Sequence, residues 1–211
     1  MDHDAALEML MDASMRMHDE GVPMMRRVVP SDEETRLWTH YPENDVVNGD
    51  LACRYFYHCH PQEEREFGEH GHFHIFFGKS GMARTAVPLV PAPKSKVKRA
   101  DVVHIAALSV DTNGLPVRWF TVNRWVTDEW LFPAQDIISL LPKFNLAGSN
   151  GDPLVNDWIT AMVQLSQPQI EELLTQRDAE LALRDPSGED RAAEILSLAA
   201  IDLEALLGGD N

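Results

Sequence analysis

Apolar and polar residues recur at two different periods along the chain, and the change of period divides it into three parts. Over residues 4–18, Leu7, Leu10, Met11, Ser14, Met15 and His18 recur at three and four, the spacing of an amphipathic helix. Gly21 and Pro23 end it. The helical period returns in the C-terminal third, in runs 133–141, 153–166, 168–184 and 190–207. Pro133, Pro153 and Pro168 stand at the helix starts, where the missing amide donor costs nothing. Between these helical parts the period falls to two, predicting strands over 51–60, 70–77, 102–110 and 117–123. The pattern predicts an α+β fold, with an antiparallel sheet of four or more strands. The N-terminal helix and the helical C-terminal third pack on its apolar face. Residues 1–184 are expected to form a single α+β domain. The break DPSGED at 185–190 sets off residues 185–211 as a C-terminal helix, either a mobile tail or a dimer contact.

The first two strands lie in YHCHPQEEREFGEHGHFHIFF, residues 57–77, which holds five of the nine histidines. Side chains alternate faces along a strand, so Tyr55, Tyr57 and Cys59 point one way and Arg54, Phe56, His58 and His60 the other. In the second strand Phe73, Ile75 and Phe77 take one face, and His70, His72, His74 and Phe76 the other. Joined as an antiparallel hairpin, the strands set His60 opposite His70, His58 opposite His72, Tyr57 opposite Phe73 and Tyr55 opposite Ile75. One face is then apolar throughout and the other carries the imidazoles. A slip of one residue destroys both faces at once.

Spacing decides what those imidazoles can do together. Residues two apart on a strand are about 6.7 Å apart and residues four apart about 13 Å, so one ion cannot hold His70, His72 and His74. It can hold an i, i+2 pair with one or two residues of the facing strand. Neutral imidazole suits zinc, iron, copper and nickel, and Glu63, Glu64, Glu66 and Glu69 of the linking loop add carboxylates. The candidate ligands of a divalent transition metal are His58, His60, His70, His72 and Glu64. His72, His104 and Glu69 are the candidate catalytic groups.

A second hairpin follows at SVDTNGLPVRWFTVNRW, where Asn113-Gly114 marks the turn. With Thr112 facing Leu115, His104 lies opposite Asn123 and Ala106 opposite Thr121. His104 is therefore an added ligand, an acid-base group or a hydrogen-bonded core residue. Asn123, Arg124 and Trp125 of NRWVTDEW either line a ligand pocket, mixing apolar walls with polar groups, or belong to a segment whose tryptophans pack on the C-terminal helices.

Charge narrows the partners. The chain has 18 basic and 34 acidic residues, net −16, a field that repels nucleic acid and anionic membranes. Six of the basic residues fall between Lys79 and Arg99 with no acid among them. That Pro-rich stretch reads as a solvated connection or as a basic lid, with Lys96 and Lys98 contacting a small anionic ligand. MDHDAALEML lacks the basic start of a signal peptide and no apolar run approaches the roughly 20 residues of a membrane span, so a cytoplasmic protein is expected. Two cysteines, Cys53 and Cys59, provide no disulfide framework. Seven of the nine methionines lie in the first 25 residues, a spacing of helical core filler rather than a soft copper(I) site.

Three resemblances bear on function. HGHFHIFF resembles the alternating motif of the histidine triad nucleotide hydrolases and transferases, with Gly71 where that family has an apolar residue. The resemblance implies that His72 attacks a phosphorus, with His70 and His74 supporting. The spacing of His58, His60 and Glu64 resembles part of the first metal motif of cupins, although the downstream glycine spacing departs from it. YHCHP, GEHGHFHIFF, NRWVTDEW and QPQIEELLTQRDAEL together resemble a family of uncharacterised bacterial proteins without an assigned activity, over residues 35–185. The leading expectation is a metal-dependent enzyme that activates water or dioxygen on a small anionic substrate. The alternatives are metal-free phosphoryl or nucleotidyl chemistry of the histidine triad kind, and a non-enzymatic module that binds metal or senses pH.

Overall fold

The two periods resolve into a sheet with helices on one face. The computed structural model describes residues 1–29, 36–49, 51–65, 68–90 and 101–208. Six strands, β1 (Tyr41–Asn48), β2 (Cys53–His58), β3 (Gly71–Gly78), β4 (Val102–Val110), β5 (Pro116–Val122) and β6 (Ile195–Ala200), form one sheet in that order. Each strand runs antiparallel to the next. Three long helices, α1 (His3–Asp19), α5 (Pro153–Leu165) and α6 (Gln167–Arg184), supply most of the cover. Short helices α2 (Met24–Val28), α3 (Arg124–Thr127), α4 (Ala134–Ile138) and α7 (Leu203–Leu206) sit at the connections.

Local chemistry explains the long helices. Asp2 caps α1 by accepting from the Ala5 amide at 2.9 Å, and Asp152 caps α5 by accepting from Leu154 and Val155. Pro153 occupies the first turn of α5, where no donor is lost. The buried face of α1 is Ala6, Leu10, Ala13 and Met17. Met11 and Met15, expected on the packed face, are instead 51% and 56% exposed. The alanines let α1 lie close against α5, which turns the bulkier methionines outward.

The β2–β3 hairpin has the predicted register. Tyr55 pairs with Ile75, Tyr57 with Phe73 and His58 with His72. Tyr55, Tyr57, Phe73, Ile75 and Phe77 join the main core with residues of α1, α5 and α6. Full burial of an aromatic or branched side chain contributes roughly 1.5–3 kcal/mol, enough to fix this register against a slip.

The expected helix over 190–207 does not form. Its first part is β6, paired with β5 through Trp119↔Ala199 and Phe120↔Leu198, and only Leu203–Leu206 is helical. The open edge of β5 offers a ladder of backbone hydrogen bonds, and that tertiary demand overrides the helical propensity of ILSLAA. Residues 195–200 are therefore part of the sheet rather than an appendage. β1 was not foreseen either. Cys53 and Cys59 are buried free thiols. Among the described residues no helix is long and apolar enough to cross a membrane.

Candidate metal centre

The face of the sheet away from the main core carries the polar groups. One row runs straight across four strands: His58 pairs with His72, His72 with Ser109, and Ser109 with Arg118. The next row is Phe56, His74, Ala107 and Phe120. Residues two apart on a strand share a face, so His72 and His74 rise side by side from β3 while His58 approaches from β2.

Rings and donors converge there. His58 Nε2 lies 2.8 Å from His72 Nε2. One nitrogen from each of His58, His72 and His74 falls in a group with no separation above 4.8 Å. The ring centres of these three are 4.6, 5.1 and 4.9 Å apart. Imidazoles bound to a common ion at about 2.0–2.1 Å have ring centres roughly 4.5–5.2 Å apart for ligand angles between 90° and 109°. The donor set therefore fits a transition-metal ion. His60 stands at the edge of this group, its Nε2 3.3 Å from His58 Nε2. The ring of exposed Trp38 lies over it at 4.2 Å, and His40 stacks on Phe56 at 3.7 Å.

Each β3 histidine has a partner behind it. His72 Nδ1 meets Glu69 Oε1 at 3.1 Å, and Glu69 in turn accepts from Ser109 Oγ and from Arg118 at 3.4 Å. His74 Nδ1 meets His104 Nε2 at 3.1 Å. The His104 backbone amide donates to the buried Glu129 carboxyl group. His104 reaches this face only through a bulge. From Gly71 to Ile75 the β3–β4 register is constant, and beyond Ile75 it shifts so that His104 pairs with Phe76. Ile105 and Ala106 both enter the main core in consequence.

Burial sets the protonation of these groups. Desolvation, followed by the neighbouring His72, His60 and His40, lowers His58 to about 2. Desolvation and then His72 lower His60 to about 4. His74 is driven well below its ordinary 6.5 by complete burial, then by His72 and His58. Burial, with Arg177 next, lowers His104 to about 3. Glu69 goes the other way: burial raises it, but His72, Ser109 and Arg118 outweigh that and hold it at about 2. Burial pushes Glu129 up to about 8 against the opposing pull of Arg177. Deprotonated His58 and His74 are in the form a metal requires.

A cleft of about 560 Å³ opens beside the cluster, lined by His60, Glu69, His72, Arg118, Phe120 and the lead-in to β6 at 192–195. Arg118, Ser109 and the β6 wall were not foreseen. In the second hairpin the predicted register holds at Ser109↔Arg118 and Ala107↔Phe120, but it slips by one at Val110↔Pro116, and His104 and Asn123 are not a ladder pair. Ala106 and Leu108 lie in the core, so Ala107 and Ser109 face the site.

Other expected site residues lie elsewhere. The hairpin ladder stops at His58↔His72, so His60 and His70 do not pair. The His70 ring contacts the Tyr57 hydroxyl on the core side, away from the other imidazoles. The alternation of three histidines therefore does not make one cluster of His70, His72 and His74. Glu64 belongs to a 3-10 turn, Gln62–Glu64, and its side chain lies outside the described residues. Lys96 and Lys98 lie outside the described residues altogether. Lys79, at the start of the basic stretch, sits over the Trp130 ring at 3.2 Å.

Asn123, Arg124 and Trp125 do not line the cleft. Buried Asn123 donates to Asp185 at 3.0 Å and to the Ala193 carbonyl at 2.9 Å. Arg124 pairs with Glu189, and Trp125 donates to the Asp190 carbonyl at 2.8 Å. Together they pin the segment 185–193 that leads to the cleft wall.

A family model described as "Domain of unknown function (DUF6969)" matches residues 3–201. The chain belongs to this family. No curated protein and no solved structure matches it. The DUF6969 match begins in α1 and ends just after β6, so it takes in every histidine of the cluster and the whole sheet.

Proposed function

We propose that this DUF6969 protein holds a divalent transition metal at His58, His72 and His74 and activates water or dioxygen on a small anionic substrate. The observation that carries the reading is the three-imidazole set with donor atoms inside 4.8 Å. A bound ion supplies a Lewis acid that acidifies water or takes up dioxygen at a position not filled by protein. Glu69 orients His72 through Nδ1, an outer carboxylate that strengthens an imidazole donor. Arg118 brings a guanidinium to the cleft wall, where it meets an anionic group of the substrate with charge-assisted hydrogen bonds. Phe120, edge-on to His72 at 5.1 Å, gives that wall an apolar side. The cleft is what distinguishes an enzyme from a storage site, because it gives a substrate access to His60 and His72.

Elemental analysis of protein purified without an affinity tag tests the reading, followed by titration with zinc, iron(II), copper(II) and nickel. One equivalent of metal is expected in the parent and none in His58→Ala with His72→Ala. A double variant that binds as tightly as the parent overturns the assignment.

A further inference from the structure

The pair of His74 and His104 carries information about which nitrogen of His74 is available. His104 is 1% exposed and lines no part of the cleft, yet its Nε2 lies 3.1 Å from His74 Nδ1. Two neutral imidazoles that meet nitrogen to nitrogen need one donor and one acceptor. With the hydrogen on His104 Nε2, His74 Nδ1 is the acceptor and the remaining hydrogen of His74 sits on its Nε2, closing that nitrogen to a metal. With the hydrogen on His104 Nδ1, His74 donates from Nδ1 and presents a bare Nε2. Only the second arrangement leaves His74 matched to His58 and His72, which already meet through Nε2.

The placement of His104 depends on Glu129. The β4 backbone bulges beside Ile75 and Phe76, and the amide of His104 at that bulge donates to a carboxyl oxygen of Glu129. We propose that His104 is a positioning residue that holds His74 in the Nδ1–H tautomer, and that Glu129 fixes His104 by gripping the bulge. The proposal rests on the reading of His58, His72 and His74 as a metal site. The two β3 ligands would then be held by unlike partners, His72 by an anionic carboxylate and His74 by a neutral imidazole.

Long-range proton–nitrogen NMR of the zinc-loaded protein reads the tautomers directly. The expected spectrum has hydrogen on Nδ1 of both His74 and His104. Zinc competition against a chelator gives the energetic counterpart. His104→Leu, which cannot accept, is expected to lose about 10- to 100-fold in affinity, and His104→Gln, which keeps an accepting oxygen, to recover most of it. Glu129→Gln retains an acceptor for the amide and stays near the parent, whereas Glu129→Leu falls with His104→Leu. Zinc bound with hydrogen on His104 Nε2, or His104→Leu binding as tightly as the parent, overturns this inference alone. Where the leucine variant does not fold, the parent spectrum decides. A folded parent that takes up no metal overturns the site itself.

Discussion

His58 and His72 stand directly across the β2–β3 ladder with their Nε2 atoms 2.8 Å apart. Under the proposed metal reading, affinity is a property of the hairpin register, and the two residues are not interchangeable with other histidines of the same run. His58→Ala or His72→Ala is expected to lower affinity for zinc by at least about 100-fold, since loss of even an outer partner costs 10- to 100-fold. His70→Ala, whose ring faces the Tyr57 hydroxyl, leaves the affinity close to that of the parent. Chelator competition on the three variants checks this, and an equal loss at His70 contradicts it.

Gly71 is where the hairpin tolerates no side chain. A Cβ there meets the His58 carbonyl oxygen and the Tyr57 hydroxyl, which explains glycine at this position of HGHFHIFF. Gly71→Ala forces the strands apart and is expected to destabilise by roughly 1–3 kcal/mol, the cost of overpacking. Because His72 is the next residue, metal affinity falls with stability. Urea unfolding and zinc titration of the one variant measure both.

Acid and base act on the metal-free protein through different groups. His58 and His104 are lowered to about 2 and about 3, by burial first. Their unfolded forms take up protons below about 6.5 while the folded forms do not, so stability present above that pH is lost progressively toward acid. Glu129 has the opposite sign. Surrounded by Arg177, Arg124, Thr127 and the His104 amide, and raised to about 8 chiefly by burial, it keeps its proton when folded. Its contribution is complete below the ordinary 4.5 and is lost as pH rises through about 8. Glu129→Gln should therefore gain on the parent in urea midpoint between pH 5 and pH 8.5. A constant difference across that range would refute the assignment.

Arg118→Met tests the cleft. A hydrogen bond to a charged group contributes about 1.5–3 kcal/mol, equivalent to roughly 10- to 100-fold. Binding of acetate or phosphate to the zinc-loaded protein should weaken by that factor, and the parent's own affinity should fall with salt. NMR titration reads both. Anion binding unchanged in the variant would remove Arg118 from substrate recognition.

The hairpin at the centre of the site was legible because alternation of aromatics and histidines fixes both faces at once. What was not legible depended on contacts distant in sequence. The pairing of β3 with β4 crosses the long basic connection, and no pattern within either strand announces the bulge that turns His104 toward His74. His74 falls on the expected face but outside the expected ligand set, because that set rests on the opposed pairs His58–His72 and His60–His70, and only the first of these forms. Ser109 and Arg118 could have been found from the predicted β4–β5 register, which sets them opposite one another. β6 was hidden because ILSLAA reads as helix by propensity, and only the bare edge of β5 makes it a strand.

The hairpin also separates two events in the life of the chain. All three candidate donors lie within residues 58–74, so a ribosome that has released β3 has already delivered the full donor set. The cost of closing so short a segment rises only slowly with its length. The wall at 192–195 emerges more than a hundred residues later. The candidate donors are thus in place during synthesis, before the β6 wall of the cleft has been made.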